Sequence, residues 1–433
     1  MIEWLDVLVL GVSFGILLAI GVPVAFSIGI STVLVMLLSI KTMPALTTMA
    51  QRIATGLDSF TLLAIPFFIL AGQLMNRGGS ARRLIEFAKA LLGGLPGGLA
   101  HVNVLAAMLF AAISGSSVAT ASAVGSIMGP RMEEDGYERS FGAAVNITSA
   151  TTGLIIPPSN ILIVYSLASG GVSITALFLA GYIPGILVGL SLMIVAGVLS
   201  VRRKYPVAPR VSVRETLKRF FGALPSLLLL VVVMGGIVSG VFTATEAAAV
   251  AVLYALILAL VYREISVRDL PDILLSTSAT TAIVLLLVGT SIGMSWILAY
   301  ENIPQSVTAA LISITDNKIV ILLFINVILL TVGVFMDITP AVLIFTPIFL
   351  PIAIQLGVDP THFGIIMVLN LCIGLCTPPV GTVLFVGVGV AQTTITRVIR
   401  PLLPLYIAMI VALLIVTYVP SLSLWLPELF GAQ

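Results

Sequence analysis

Two proline-containing interruptions of apolar sequence constrain the fold of this chain most. They are residues 153–160, GLIIPPSN, and, 221 positions later, residues 374–381, GLCTPPVG. Each pair of prolines removes two backbone donors and disfavours a helical conformation in the residue before it. Inside a membrane, a backbone group without a partner costs several kcal/mol, so such an interruption normally lines a protein-enclosed cavity. Two of them at corresponding places indicate the binding site of a secondary transporter.

The composition is that of an integral membrane protein. Of the 433 residues, 59 % are hydrophobic and only 9 % are charged, whereas soluble domains contain about 25 % charged residues. A chain of this length accommodates roughly ten or more spans of about 20 residues each. The N-terminus lacks the basic region and cleavage site of a signal peptide, so the first apolar run is predicted to be a retained span.

Neither the charge nor the motifs predict an enzyme or a nucleic-acid partner. The net charge is only +2, and the charged residues are confined to predicted loops. The chain has no phosphate-binding glycine loop, and Cys372 and Cys376 form no metal-thiolate motif. We therefore expect membrane lipid as a partner, no nucleic acid and no enzymatic activity.

The order of spans repeats on either side of a basic segment. Pro130 matches Pro351, and Ile174 matches Ile395, at the same offset of 221 residues as the two interruptions. Short apolar arms joined by small polar residues predict re-entrant hairpins rather than full crossings. The chain is therefore predicted to be an all-α polytopic membrane protein built as an inverted repeat. The predicted parts are a first repeat over 1–200 with a hairpin at about 96–131 and a broken helix at about 140–170, a basic cytoplasmic connector over 201–222, and a second repeat over 223–433 with a hairpin at about 319–352 and a broken helix at about 362–390.

The distribution of basic residues supports this layout. If neither hairpin crosses the membrane, each half makes an odd number of crossings, and the second half is inverted relative to the first. Of the 20 lysines and arginines, 17 then lie on one side, and only Lys41, Arg52 and Lys318 lie elsewhere. The positive-inside rule assigns the basic side to the cytoplasm. We therefore predict a bacterial inner-membrane protein with both termini in the periplasm.

The first hairpin tip and the first interruption offer oxygen ligands. Hydroxyl and carbonyl oxygens without a carboxylate suit a weakly hydrated monovalent cation better than a divalent one. Small residues of these types also allow close packing of helices, and this alternative remains open. The candidate residues are Ser114, Ser116 and Ser117 at the tip and Gly153, Ile156 and Pro158 at the interruption.

The second hairpin turn contains Asp337, the only carboxylate predicted at this depth. An ionisable residue inside a membrane indicates a functional site, although Asp337 is also positioned to cap the second hairpin arm. We expect it near Gly333 and near the second interruption, which contributes Gly374, Thr377 and Val380.

Further polar residues are candidates for substrate contact. Asn146, Asn160 and Asn370 lie in predicted spans, where an amide either binds a substrate or holds helices together. Asp58 either caps the third span or faces the cavity. No carboxylate-binding arginine is visible within the spans, and the nearest candidate is Arg52, which is predicted to lie in a loop. The candidate substrate residues are Asp58, Ser116, Asn146, Ser159, Asn160, Asp337 and Asn370.

Four segments in order resemble the large membrane subunit of TRAP transporters, the tripartite ATP-independent periplasmic family. They are residues 57–68 (LDSFTLLAIPFF), 114–125, 153–159 and 364–381. The resemblance implies an elevator-type, ion-transporter-like fold. It also implies sodium-coupled import of small organic acids, of the C4-dicarboxylate or sugar-acid type, delivered by a periplasmic solute-binding protein. A small four-span membrane subunit is implied as a separate partner chain.

The resemblance further implies two bound sodium ions, each between a hairpin and a broken helix and held largely by backbone carbonyls. The implied ligands of the first ion are Ser114, Ser117, Gly153, Ile156 and Pro158. Those of the second ion are Gly333, Gly374, Thr377 and Val380. Two other interpretations remain open: a stand-alone ion-coupled carboxylate carrier, and a channel or non-transporting membrane scaffold.

Overall fold

Helices account for all the regular secondary structure that the computed structural model describes, over residues 2–207, 211–315 and 317–432. In that part of the chain, eight helices are long and apolar enough to cross a membrane, and four shorter apolar helices accompany them. The prediction of an all-α polytopic membrane protein is therefore confirmed.

The first half contains the first predicted hairpin and broken helix. Its helices are α1 (Ile2–Ala19), α2 (Val24–Ser39), α3 (Thr42–Leu57), a 3₁₀ turn (Phe60–Leu63), α4 (Ala64–Arg77), α5 (Ser80–Leu92), α6 (Gly98–Ser114), α7 (Ser117–Glu134), α8 (Arg139–Thr152), α9 (Asn160–Ala168) and α10 (Ile174–Arg202). Only two residues separate α6 from α7. Gly115 has a φ of +63°, a left-handed conformation that favours glycine. The Ser116 hydroxyl then accepts a hydrogen bond from the Ala119 amide and caps α7.

The second half follows the same order of elements, except that α3 has no counterpart in it and that α20 is added at its end. Its helices are α11 (Val213–Val238), α12 (Ala244–Val261), a 3₁₀ turn (Val267–Asp269), α13 (Leu270–Tyr300), α14 (Ile303–Ile314), α15 (Lys318–Phe335), α16 (Ile338–Gln355), α17 (Pro360–Gly374), α18 (Thr382–Val390), α19 (Ile395–Tyr418) and α20 (Ser421–Leu429). Helix α11 begins inside the predicted connector because the Ser212 hydroxyl accepts a hydrogen bond from the Glu215 amide. Residues 208–210 of that connector lie outside the described residues.

Both proline pairs interrupt a helix where the sequence predicts an interruption. Residues 153–159 separate α8 from α9, and residues 375–381 separate α17 from α18. The two proline–proline bonds are cis. From Phe141 onward α8 is buried throughout, and so is α17 from Thr361 onward. The broken helices therefore form the interior of the molecule.

The hairpins pack on the broken helices, and an outer layer packs on both. Helices α6 and α7 contact α8, whereas α15 and α16 contact α17. The longest helix, α13, packs against α2, α3, α4 and α16. This arrangement brings the tips of both hairpins to the same level as the interruption between α8 and α9.

Candidate functional site

The two hairpin tips meet at a cavity of about 310 Å³, here called the central cavity. It lies between the inner helices and the outer helices α4 and α13. The polar residues that line it are Gln73 and Asn76 of α4, Ser114, Ser116 and Ser117 of the first hairpin, Asn160 of α9, Thr280 of α13, and Asp337 and Thr339 of the second hairpin. Five of the predicted site residues are therefore brought together: Ser114, Ser116, Ser117, Asn160 and Asp337.

The first hairpin tip is held by its own hydrogen bonds and by close contact with α4. The Ser114 and Thr120 hydroxyl oxygens lie 3.2 Å apart, and the Thr120 hydroxyl donates to the Ser116 carbonyl at 2.8 Å. A Cβ atom at Gly72 would lie only 2.4 Å from the Ser114 carbonyl oxygen. The tip therefore rests on α4 at a point where only glycine leaves room.

The first interruption touches the first hairpin in two places. The Asn160 side-chain nitrogen would lie 2.9 Å from a Cβ atom at Gly115. A Cβ atom at Gly153 would lie 2.1 Å from the Cβ atom of Ala111. The side chain of Ile156 packs instead against Gly185 of α10. The buried Pro158 lies between these contacts in sequence.

The second interruption contacts the second hairpin through two glycines. A Cβ atom at Gly374 would lie 2.4 Å from the Gly333 carbonyl carbon. The Thr377 hydroxyl donates to the Ile373 carbonyl at 2.8 Å. Val380 is 42 % exposed. None of these residues lines the central cavity, so the second group of predicted cation ligands is separate from it.

Three helices begin at the central cavity, and their first residues line it: Ser117 of α7, Asn160 of α9 and Ile338 of α16. Within the described chain, neither α9 nor α16 has a side-chain cap at its start. The Ser159 hydroxyl donates to the Leu154 carbonyl instead. Amide groups and helix dipoles give such helix starts a positive potential. The start of α9 is therefore suited to a negatively charged ligand group, whereas the Asp337 carboxylate already lies at the start of α16.

Asp337 is exposed in the central cavity and is the only charged residue among the described residues that line it. It occupies the position before α16 without making a capping hydrogen bond. Its carboxylate therefore lies both at the start of α16 and at the cavity, and both roles weighed for it stay predictions.

Four other candidates lie apart from the central cavity. Asn146 is buried and donates to the Ala121 carbonyl of α7 at 2.7 Å. Asn370 donates to the Asn326 side-chain oxygen at 2.7 Å, and Asn326 donates to the Thr417 hydroxyl at 3.1 Å. Both amides thus join helices. The remaining two are Asp58, exposed in the turn after α3, and Ser159, buried beside the first interruption.

Sequence reasoning missed Gln73, Asn76 and Thr280. Gln73 and Asn76 are three positions apart and hence on one face of an otherwise apolar span, a pattern that a search for polar pairs in spans detects. Thr280 carries no such signal, because a lone threonine in a span commonly donates to its own helix, as it does here to the Ser276 carbonyl.

Comparison with known proteins identifies the family. Residues 11–422 match the family described as "Tripartite ATP-independent periplasmic transporter, DctM component". The chain is 57 % identical to the uncharacterised protein YgiK of Salmonella typhimurium, over 98 % of each chain. It is 44 % identical to the C4-dicarboxylate TRAP transporter large permease protein DctM of Pseudomonas aeruginosa, over 94 % of each. It is 40 % identical to the sialic acid TRAP transporter large permease protein SiaM of Vibrio cholerae, over 96 % of this chain and 97 % of SiaM.

A solved structure shares the fold. The YdaH transporter of Alcanivorax borkumensis superposes with a TM-score of 0.67 over 90 % of both chains, at 16 % identity. This likeness concerns the fold alone. The family match and the sequence relatives cover nearly the whole chain. The chain therefore belongs to the DctM family, the large permease components of tripartite ATP-independent periplasmic transporters.

Proposed function

We propose that this chain is the membrane-transport subunit of a sodium-coupled importer of small organic acids. The observation that carries the proposal is the convergence of both hairpin tips and three helix starts on one central cavity. A volume of about 310 Å³ is at the lower end of the range of about 300–1,000 Å³ typical of small-molecule sites. A small acid therefore fits it.

The chemistry of the central cavity supports an anionic substrate. No lysine or arginine is among the described residues that line it. Helix starts, together with the side-chain amides of Gln73, Asn76 and Asn160, supply the hydrogen-bond donors. Relatives named for C4-dicarboxylate and for sialic acid are both named for acids. We therefore propose a C4-dicarboxylate or a sugar acid as the substrate.

Two sodium sites are proposed, one where each hairpin contacts a helix interruption. Oxygen ligands without a cluster of acids are suited to a monovalent ion. The close approach of Gly374 to Gly333 brings the Gly333 carbonyl to the second contact, and the close approach of Gly153 to Ala111 brings the first interruption against α6. The proposed ligands are Ser114, Ser117, Gly153, Ile156 and Pro158 for one ion and Gly333, Gly374, Thr377 and Val380 for the other.

The proposed transport step is an elevator motion in a bacterial inner membrane. The hairpins and broken helices would move together against the outer helices α4 and α13, which share the central cavity with them. A small four-span subunit would extend the outer layer, and a periplasmic solute-binding protein would deliver the acid. Both partners are proposed from membership of a tripartite family.

The proposal is tested by reconstituting the chain with its two partners in liposomes. The probes are radiolabelled succinate, gluconate and N-acetylneuraminate. At least one acid should accumulate when sodium is higher outside, and replacing external sodium by potassium should abolish its accumulation. Equal uptake in potassium would contradict sodium coupling. Sodium-driven uptake by this chain alone would favour the stand-alone carrier.

The proposed orientation is tested separately by cysteine labelling. Val207 and Gln355 are exposed, whereas both native cysteines are fully buried and should give little background labelling. With both termini in the periplasm, Val207→Cys should react only from the cytoplasm and Gln355→Cys only from the periplasm. Labelling of both from one side would contradict the inverted arrangement.

A further inference from the structure

A second cavity of about 500 Å³, here called the outer cavity, lies near the end of the molecule that contains Arg52. Helices α3 and α13 form one wall, and α9 and α16 form the other. The sequence had indicated that Arg52 lies in a loop, but it belongs to α3. In the orientation proposed above, this end faces the periplasm.

The outer and central cavities lie along the same faces of three helices. On α13, Thr280 lines the central cavity and Ser291 lines the outer one. Corresponding pairs, separated by three or four positions, are Val164 and Leu167 on α9 and Thr339 and Leu343 on α16. Residues at these spacings share a helix face. The two cavities are therefore successive chambers of one interface.

Buried apolar side chains separate the two chambers. Between the lining positions of α13 lie Leu287, which is 7 % exposed, and Val288, which is fully buried. A charged ligand cannot cross such a segment without losing its hydration, which is costly. Passage therefore requires movement of α9 and α16 relative to α13.

The outer cavity presents one cation and no acid within the described residues. The Arg52 guanidinium carbon lies 5.6 Å from the centre of the Trp296 ring, and Arg52 makes no salt bridge in the described chain. The Ser291 hydroxyl lines the same cavity, is 1 % exposed and has no hydrogen-bond partner. A free cation and an unpaired hydroxyl facing one chamber indicate an anionic ligand.

The wall that carries Arg52 is firmly attached. A Cβ atom at Gly56 of α3 would lie 2.4 Å from the side chain of Ile292, and one at Gly293 of α13 would lie 2.4 Å from Met49. Such close approach of small residues is how helices associate in membranes. Arg52 is thereby held at a fixed place on the outer layer.

We infer that Arg52 and Ser291 form an entry site, where the acid binds before it reaches the central cavity. The inference rests on the proposed function. The guanidinium attracts the carboxylate from solution and pairs with it at the mouth of the sealed interface. Because Arg52 is exposed to water, the pairing is weak enough for the acid to leave when α9 and α16 move.

Trp296 provides a direct measure of binding at this site. The chain has three tryptophans, so Trp4→Phe together with Trp425→Phe leaves Trp296 as the only reporter. Titrating sodium succinate, gluconate or N-acetylneuraminate at constant ionic strength should change its fluorescence with at least one acid. Arg52→Gln should raise the half-saturating concentration about tenfold, the equivalent of about 1.4 kcal/mol. Arg52→Lys keeps the charge, so its half-saturating concentration should lie between those of the unmodified Arg52 and of Arg52→Gln.

Lys41→Gln is the matched control, because Lys41 is an exposed cation on the same side of the protein and outside the outer cavity. It should leave the titration unchanged. No fluorescence change with any of the acids, or equal effects of Arg52→Gln and Lys41→Gln, would overturn the entry site. Failure of the proposed function is distinguishable, since it would abolish sodium-driven uptake by the unmodified chain while leaving the Trp296 response intact.

Discussion

The two helix interruptions carry the same proline pair, yet their backbones are satisfied differently. In the first, the Leu154 carbonyl accepts a hydrogen bond from the Ser159 hydroxyl. In the second, the matching carbonyl, that of Leu375, accepts from the amides of Val383 at 3.2 Å and Leu384 at 3.3 Å. The amides at the start of α18 are therefore used within the interruption. At the start of α9, by contrast, Asn160 and Ile161 line the central cavity.

This difference shows how one repeated element provides two kinds of site. A side-chain hydroxyl that satisfies the carbonyl leaves the next helix start available to a ligand. Where the amides of the next helix start satisfy the carbonyl instead, those amides are not available to a ligand. The position equivalent to Ser159 is Val380, which has no hydroxyl to offer. The helix start after the first interruption is thus open to a ligand in the central cavity, whereas the helix start after the second is occupied by its own backbone.

The largest effect should come from enlarging Gly374, whose Cβ atom would meet the Gly333 backbone at 2.4 Å. Gly374→Ala forces the second hairpin away from the second interruption, and overpacking of this kind costs about 1–3 kcal/mol. Sodium-driven uptake should fall roughly 5–150-fold if this cost is borne by the transporting state.

The measurement is uptake at matched protein levels, with Gly389→Ala as the control. Gly389 also lies in the second broken helix, and a Cβ atom there would have no neighbour within 4 Å. Normal uptake by Gly374→Ala would show that the contact of the two glycines is dispensable.

A smaller effect is expected when the hydroxyl that distinguishes the first interruption is removed. Ser159→Ala leaves the buried Leu154 carbonyl without its donor, which costs about 1–3 kcal/mol of stability. Val380→Ala, at the equivalent position, breaks no side-chain hydrogen bond and should cost less. Denaturation of the purified protein measures both. Equal losses for the two variants would mean that the interruptions do not differ as described.

The smallest effect is expected for Thr377→Val, which removes one proposed sodium ligand while nearly preserving shape. Loss of one of about five or six oxygens costs about 1–2 kcal/mol. The sodium concentration for half-maximal uptake should then rise roughly 5–30-fold.

Thr331→Val is the control for Thr377→Val. The Thr331 hydroxyl likewise donates to the carbonyl four residues earlier, at 2.8 Å, but Thr331 is exposed on the outer side of α15. An unchanged sodium requirement in Thr377→Val, or the same shift in both variants, would argue against a sodium site at the second interruption.

The sequence predicted the helix interruptions and the hairpins better than it predicted which residues come together at the central cavity. The proline pairs located both interruptions because proline acts on its own backbone, and the small polar residues from Ser114 to Ser117 located the first hairpin tip. The approach of Asn160, Asp337 and Gln73 to one cavity depends on how the helices rotate about their axes. Local sequence does not encode that rotation. Arg52 was predicted in a loop because α3 is less apolar than the spans around it.

The hydrogen bonds that run from Asn370 through Asn326 to Thr417 have a mechanical consequence. They connect α17, α15 and α19 in an environment where lipid offers no substitute partner. Sliding any one of these helices past the others would strand a buried amide, at about 1–3 kcal/mol for each group. Helices α15, α17 and α19 therefore move as one rigid body. Relative sliding of helices is therefore expected at interfaces without such hydrogen bonds. One such interface lies between α13 and α16, across which no hydrogen bond links the described residues.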